Sequence, residues 1–149
     1  MIWTPRVTVA SIIYHNDRYL LVEEEENGQR VLNQPAGHLE DGEGIIEATI
    51  RETAEETGGK FLPTSIVGIY RWRHPTQALT FLRFCIAGTL EQPDGPLLPH
   101  DKDIIRTHWL SYDELLEHRQ TLRSPLVLQC IEDFRAGQRY PLTLYQDIL

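Results

Sequence analysis

Glu52, Glu55 and Glu56 are the residues with the strongest claim to chemistry. A helix through them, at about 3.6 residues per turn, stacks Glu52 on Glu56 and sets Glu55 beside them. Three like charges on one patch repel, and the last turn of a helix is the wrong end of the dipole for carboxylates. A hard divalent cation offsets both costs, because magnesium takes oxygen ligands and is held by a few carboxylates together with substrate phosphates. Such a site brings a cation to where substrate phosphates could meet it. Three glutamates alone describe an ordinary helix with a solvated acidic face, so the decision rests on the wider spacing.

That spacing is long and specific. The segment runs Gly37-His38-Leu39-Glu40-Asp41-Gly42-Glu43, then seven residues, then Arg51-Glu52-Thr53-Ala54-Glu55-Glu56-Thr57-Gly58-Gly59. Glu47 and Arg51 form an i, i+4 pair with Glu on the favourable N-terminal side. Arg51 is expected to hold the adjacent carboxylates in place rather than to touch phosphate. The pattern resembles the Nudix box, in which Gly, five residues, Glu, seven residues, Arg-Glu, two residues, Glu-Glu, one residue and Gly follow in order. Gly37, Glu43, Arg51, Glu52, Glu55, Glu56 and Gly58 all match. Thr53 and Gly59 stand where that family usually has aliphatic residues. The resemblance implies an α/β (α+β) chain with the Nudix fold, an α/β/α sandwich around a mixed sheet in which the box is a loop–helix–loop. It also implies a hydrolase of phosphoanhydrides. Magnesium, or manganese in its place, would be bound by Glu52, Glu55, Glu56 and the Gly37 carbonyl.

Likeness extends past the box. Segments 7–10, 33–40, 81–84, 122–127 and 137–142 resemble the bacterial NudJ-type phosphatases, a subgroup of the family, and the similarity runs from about Arg6 to Leu142. Members of that subgroup release orthophosphate stepwise from nucleoside tri- and diphosphates and thiamine-type pyrophosphates. One alternative is a pyrophosphohydrolase acting on nucleoside triphosphates, dinucleosides or ADP-ribose. A non-catalytic nucleotide sensor is another, but it predicts lost box carboxylates, and none is lost.

Residues outside the box complete the expected site. Nudix enzymes often take one more acid from a loop before the last strand, where Asp101 and Asp103 stand. Asp103 is the preferred further ligand or general base, joining Arg51, Glu52, Glu55 and Glu56 in the catalytic set. Arg6, His38, Arg83 and Arg123 are candidates for substrate phosphates. Arg83 lies in an apolar strand, where an unpaired charge is costly, so it calls for an anionic partner from the protein or the substrate. Trp72 is a candidate for stacking on a ring, with Trp3 and Tyr70 behind it. Arg139 and Tyr140 are candidates to close the pocket.

The elements that must position these residues follow from pattern. Stretches 7–14, 19–22, 66–72, 79–88 and 104–110 are β-branched and apolar, as strands are. Helices are expected over 44–57, 111–118, opened by a capping box, and 124–135, with Ser124 as cap and Pro125 at its first position. In the first of these, Ile46, Ile50, Thr53, Ala54 and Thr57 recur on one face, opposite the carboxylates. The acidic run 23–26 is expected to be a solvated strand end. A single domain over 1–149 accommodates all of this. The formal net charge of −8 argues against polymeric nucleic acid, while a small phosphorylated metabolite stays compatible once a cation inverts the local sign. No apolar run is long enough to span a membrane. A cytoplasmic protein, monomeric or homodimeric, with Cys85 and Cys130 as buried thiols, is the expectation.

Overall fold

The computed structural model describes residues 1–148. The chain opens with a hairpin. Strand β1 (Arg6–His15) turns through Asn16 and Asp17 into β2 (Arg18–Glu26). Both turn residues have positive φ, 51° and 60°, which matches the right-handed twist of the flanking strands. Only Tyr14–Tyr19 and His15–Arg18 pair before the two strands part. Beyond that point β1 runs parallel to β6 (Thr80–Leu90), which pairs antiparallel with the edge strand β5 (Phe61–Arg73). On its side, β2 carries β3 (Gln29–Asn33) and β7 (Ile104–Leu110), and β4 (Ala36–His38) lies against β1. The result is a seven-stranded mixed sheet.

Helices cover both faces, as the expected α/β/α sandwich requires. Helix α1 (Ile45–Thr57) packs on one face through Ile45 and Ala48 against Val9, Ile13, Phe61 and Ile86. Helix α3 (Pro125–Arg135) packs on the other, placing Val127, Cys130 and Ile131 against Ile12, Val67 and Cys85. Ser124 caps α3 through the Leu126 amide. The short helix α2 (Tyr112–Glu117) begins at a full capping box between Ser111 and Glu114. Both cysteines are free and fully buried. Among the described residues, no helix is long and apolar enough to cross a membrane.

Two expectations fail here, each for a local reason. Glu23 and Glu24 are buried, at 9% and 7% exposure, because β2 continues to Glu26 between β3 and β7. Their charges are met by His108 and Arg30 at Glu23 and by Arg123 at Glu24. The inner face of α1 is also rotated from the expected stripe. Ile45, Ala48, Thr49, Thr53, Glu56 and Thr57 are its buried residues, while Ile46 and Ile50 are only partly covered. Threonine can face inward because its hydroxyls are satisfied. Those of Thr49 and Thr57 each donate to the carbonyl four residues back at 2.7 Å, and that of Thr53 donates to Ser11 at 3.0 Å. Finally, two further strands lead into the box: β3, which pairs with β2, and β4, which pairs with β1.

The end of α1 is built around Gly58. Its φ is 77°, and its amide donates to the Ala54 carbonyl at 2.8 Å. A Cβ there would fall 2.3 Å from the Leu98 carbonyl oxygen. The same loop sends the amides of His100 and Asp101 onto the Glu55 carbonyl, both at 2.8 Å, so the loop that carries Asp101 and Asp103 caps the end of α1. Gly58→Ala therefore combines left-handed strain with a backbone collision. A loss of at least about 2 kcal/mol is expected, read as a lower urea midpoint. An unchanged midpoint would show that the loop yields freely.

Candidate active site

The box acids are placed by the contact between α1 and β4. Gly37 is where the two approach most closely: a Cβ on it would sit 2.1 Å from the Glu52 carboxyl carbon. One turn on, Glu56 accepts a hydrogen bond from the Ala36 amide at 2.9 Å and is only 6% exposed. Burial pushes the Glu56 carboxyl up to about 9, and the charges of Glu24, Glu52 and Asp101 push the same way against the Ala36 amide. Burial raises Glu52 as well, opposed by Arg51.

Arg51 ties the segment together. Its guanidinium donates to both oxygens of Glu43, at 3.0 and 2.7 Å, to Glu52 at 2.9 Å, to Glu55 at 3.2 Å and to the His38 carbonyl at 3.1 Å. It lies 3.5 Å from Glu40 as well. The expected Glu47 pair is absent among the described residues, because the loop carboxylate Glu43 provides a two-pronged partner that fits the planar fork. This ring of acids, Glu43 foremost, raises the Arg51 pKa further above its already high value.

Glu52, Glu56 and Gly37 open onto a cleft of about 480 Å³. Asp101 and Asp103 line it near the acids, and Glu24, His38, Trp72, Arg83 and Arg123 line it elsewhere. Asp101 is the acid whose charge reaches Glu52 and Glu56; Asp103 donates its amide to the Asp101 carboxylate at 2.9 Å. His38 is exposed by area yet crowded at the cleft mouth. That desolvation lowers its pKa, and the nearby charges of Arg6 and Arg123 lower it further. Arg6 lies beside His38 in an adjoining groove.

Several expected contributors lie elsewhere. Glu55 does not line the cleft and is turned toward Arg51. Trp3 is 69% exposed. Tyr70 packs against the core and donates to Asp133 at 2.7 Å. Arg139 stacks on Phe134, while the Tyr140 backbone pairs with Ile66, so neither closes the pocket. Arg83 finds no carboxylate partner among the described residues; one guanidinium nitrogen donates to Gln34 at 2.9 Å. Sequence reasoning missed Thr8, Glu24 and Asn33, all cleft residues. The available signal was their place on strands leading into the box.

The donor set suits a hard divalent ion in kind. Glu52, Glu56 and the Gly37 backbone are oxygen donors with a carboxylate excess that a cation would relieve. Among the described residues, no three acidic, His or Cys side chains are gathered closely enough to ligate a metal ion, and Glu55 is bound to Arg51.

Comparison with known proteins agrees with this geometry. The NUDIX domain model matches residues 4–129, so the chain belongs to the Nudix family, whose members hydrolyse phosphorus-containing anhydrides. The chain is 44% identical over 143 residues to Phosphatase NudJ of Escherichia coli K12, covering 96% of this chain and 92% of that protein, and Phosphatase NudJ of Shigella flexneri matches equally. A NUDIX hydrolase structure from Nitrosomonas europaea superposes with a TM-score of 0.89 at 49% identity, covering 97% of this chain and 98% of that one. The MutT NUDIX hydrolase of Burkholderia pseudomallei shares the fold at 18% identity and a TM-score of 0.75, over 88% and 98% of the two chains.

Removing the guanidinium in Arg51→Gln leaves Glu43, Glu52 and Glu55 unopposed. Breaking such a partly buried pair is expected to cost about 3 kcal/mol and to abolish turnover. Arg51→Lys should recover stability only in part, because an ammonium cannot address Glu43 in two-pronged fashion. Thermal melts of both variants check this; a Gln variant as stable as the parent would remove Arg51 from its structural role.

Proposed function

We propose that the protein is a magnesium-dependent phosphatase that releases orthophosphate from nucleoside tri- and diphosphates and from thiamine-type pyrophosphates. The observation that carries the reading is the 44% identity to Phosphatase NudJ across nearly the whole of both chains, joined to an intact set of box residues around the cleft. Glu52, Glu55 and Glu56 with the Gly37 carbonyl are the residues that would hold magnesium, with manganese as a substitute. When bound, the ion supplies charge neutralisation of the phosphates and eases deprotonation of the attacking water.

The chain's own residues divide the remaining work. Arg51 releases Glu55 toward the site while keeping Glu43 and the His38 carbonyl, which fixes the loop against α1. Arg6, His38 and Arg123 at the mouth attract and orient the phosphate chain. Asp103, with Asp101 beside it, takes the proton from water. Trp72 gives the substrate a flat surface. The substrate is a small metabolite, and no polymeric nucleic acid or membrane is part of the reading.

Two measurements test it. Glu56→Gln keeps the shape and the acceptor for the Ala36 amide, so the fold should persist while magnesium-dependent turnover falls by at least about 100-fold, an effect of the size that follows loss of a group stabilising developing charge. Equal rates for parent and variant would sink the metal assignment. Product identity decides the finer claim. With GTP, GDP and thiamine diphosphate as substrates, orthophosphate is the expected product; pyrophosphate as sole product from GTP would instead establish a pyrophosphohydrolase.

A further inference from the structure

The backbone N–H groups in the first turn of an α-helix have no acceptor within the helix, and a Ser, Thr, Asp or Asn at the N-cap commonly meets one of them. Helix α1 begins at Gly44, which has no side chain to offer. The backbone does not demand glycine there: φ is −84° and ψ is 169°, the extended conformation in which any capping residue sits. Space demands it. A Cβ on Gly44 would fall 2.2 Å from Asp147 Oδ2 and 3.1 Å from the Tyr145 hydroxyl. The Asp147 oxygen thus stands about as far from that point as the carboxylate oxygen of an aspartate stands from its own Cβ.

Both side chains arrive on a strap that starts on the opposite face of the sheet, at the end of α3. Gly137 turns the chain with a φ of 87°. Tyr140 then exchanges both backbone hydrogen bonds with Ile66 of the edge strand β5, each at 2.8 Å. A single 3-10 turn follows over Leu142–Leu144. Leu142 and Tyr145 pack against the core cluster that contains Ile45 and Ala48 of α1. At the tip of the strap Tyr145 donates its hydroxyl to the Asp147 carboxylate. The Ile45 amide, the first donor of α1, is directed at the same hydroxyl. The carboxylate also brings negative charge to the positive end of the helix dipole.

We propose that Tyr145 and Asp147 are positioning residues: they form a cap, supplied by the strap, that holds the first turn of the helix carrying Glu52 and Glu56. Neither residue lines the cleft. Their action passes through Ile45 and Ala48, which follow directly on the capped end and seat α1 on the sheet. Loosening that end lets α1 shift against β4, where Glu52 meets Gly37 with no room to spare. The cap stands on the strap's contacts alone; its consequence for turnover rests on the hydrolase reading.

The test exchanges the borrowed cap for a local one. Tyr145→Phe and Asp147→Ala should each speed amide hydrogen exchange at residues 45–47 by about 2- to 30-fold, the change that matches loss of a helix cap. Gly44→Ser should act with opposite sign in two settings. In the parent the new side chain meets Asp147, and exchange quickens. Combined with Asp147→Ala it caps the helix itself, and exchange returns to within about threefold of the parent. Turnover of GTP with magnesium should follow the cap. In the single variants kcat falls while KM moves by less than about twofold, because Arg6, His38 and Arg123 stand off α1, and kcat recovers in Gly44→Ser with Asp147→Ala. Additive effects of Gly44→Ser and Asp147→Ala, or parent-like exchange in both single strap variants, would overturn the proposal. An unchanged kcat in variants whose exchange quickens would overturn the positioning role. Exchange is read without substrate, so a parent that hydrolyses no phosphoanhydride would refute the hydrolase reading and leave the result on the cap standing.

Discussion

The guanidinium of Arg51 sits where four carboxylates would otherwise repel one another. A pair of like charges about 4 Å apart costs roughly 4 kcal/mol at an effective dielectric near 20, and Glu43, Glu52 and Glu55 all lie within 3.2 Å of this one cation. Its hydrogen bond to the His38 carbonyl and its two bonds to Glu43 also bind the loop following β4 to the middle of α1. That loop fixes Gly37, which in turn admits the Glu52 carboxylate. The placement of the acids thus depends on one cation.

The cleft is divided by the same constraint. Acids gather where α1, β4 and the loop carrying Asp101 meet, and the Asp101 amide on the Glu55 carbonyl makes that loop part of the helix end. Glu24 lines the cleft from β2, with its carboxylate held by Arg123. Burial raises its pKa despite that partner. The Arg123 charge is therefore shared between a buried carboxylate and the cleft mouth, where it also depresses His38. The cation at the cleft is thus one that also holds a strand carboxylate.

Much of this was legible in the sequence because box positions have roles that few other residues fill. Gly37 admits no Cβ, Gly58 adopts a left-handed conformation, and Glu43 with Arg51 makes a two-pronged pair eight positions apart. The inner face of α1 was read in part: Thr53 and Thr57 lie on it as expected, whereas Thr49 replaces Ile50 there because its hydroxyl is satisfied by the Ile45 carbonyl, which apolar periodicity does not register. The burial of Glu23 and Glu24 was illegible for a different reason. Four successive carboxylates look solvated, and the partners that allow burial, His108 and Arg123, lie 85 and 99 positions away. The path of Arg83 to a carboxylate-free setting depended in the same way on Gln34, a residue 49 positions distant.

The acids and the buried polar atoms that line the cleft consequently stand on different elements. The loop–helix–loop and β4 carry the acids, and the scaffold beneath them persists in a MutT protein of only 18% identity. Thr8, Asn33 and Arg83 project instead from strands β1, β3 and β6, where a side chain can change without moving Glu52 or Glu56. Yet Asn33 and Gln34 immediately precede β4 in the chain, and Gln34 is fully buried between Ser11 and Arg83. A substitution that shifts Gln34 would move both the guanidinium and the entry to β4. The Gln34–Arg83 contact is thereby tied to the geometry that sets Gly37 against Glu52.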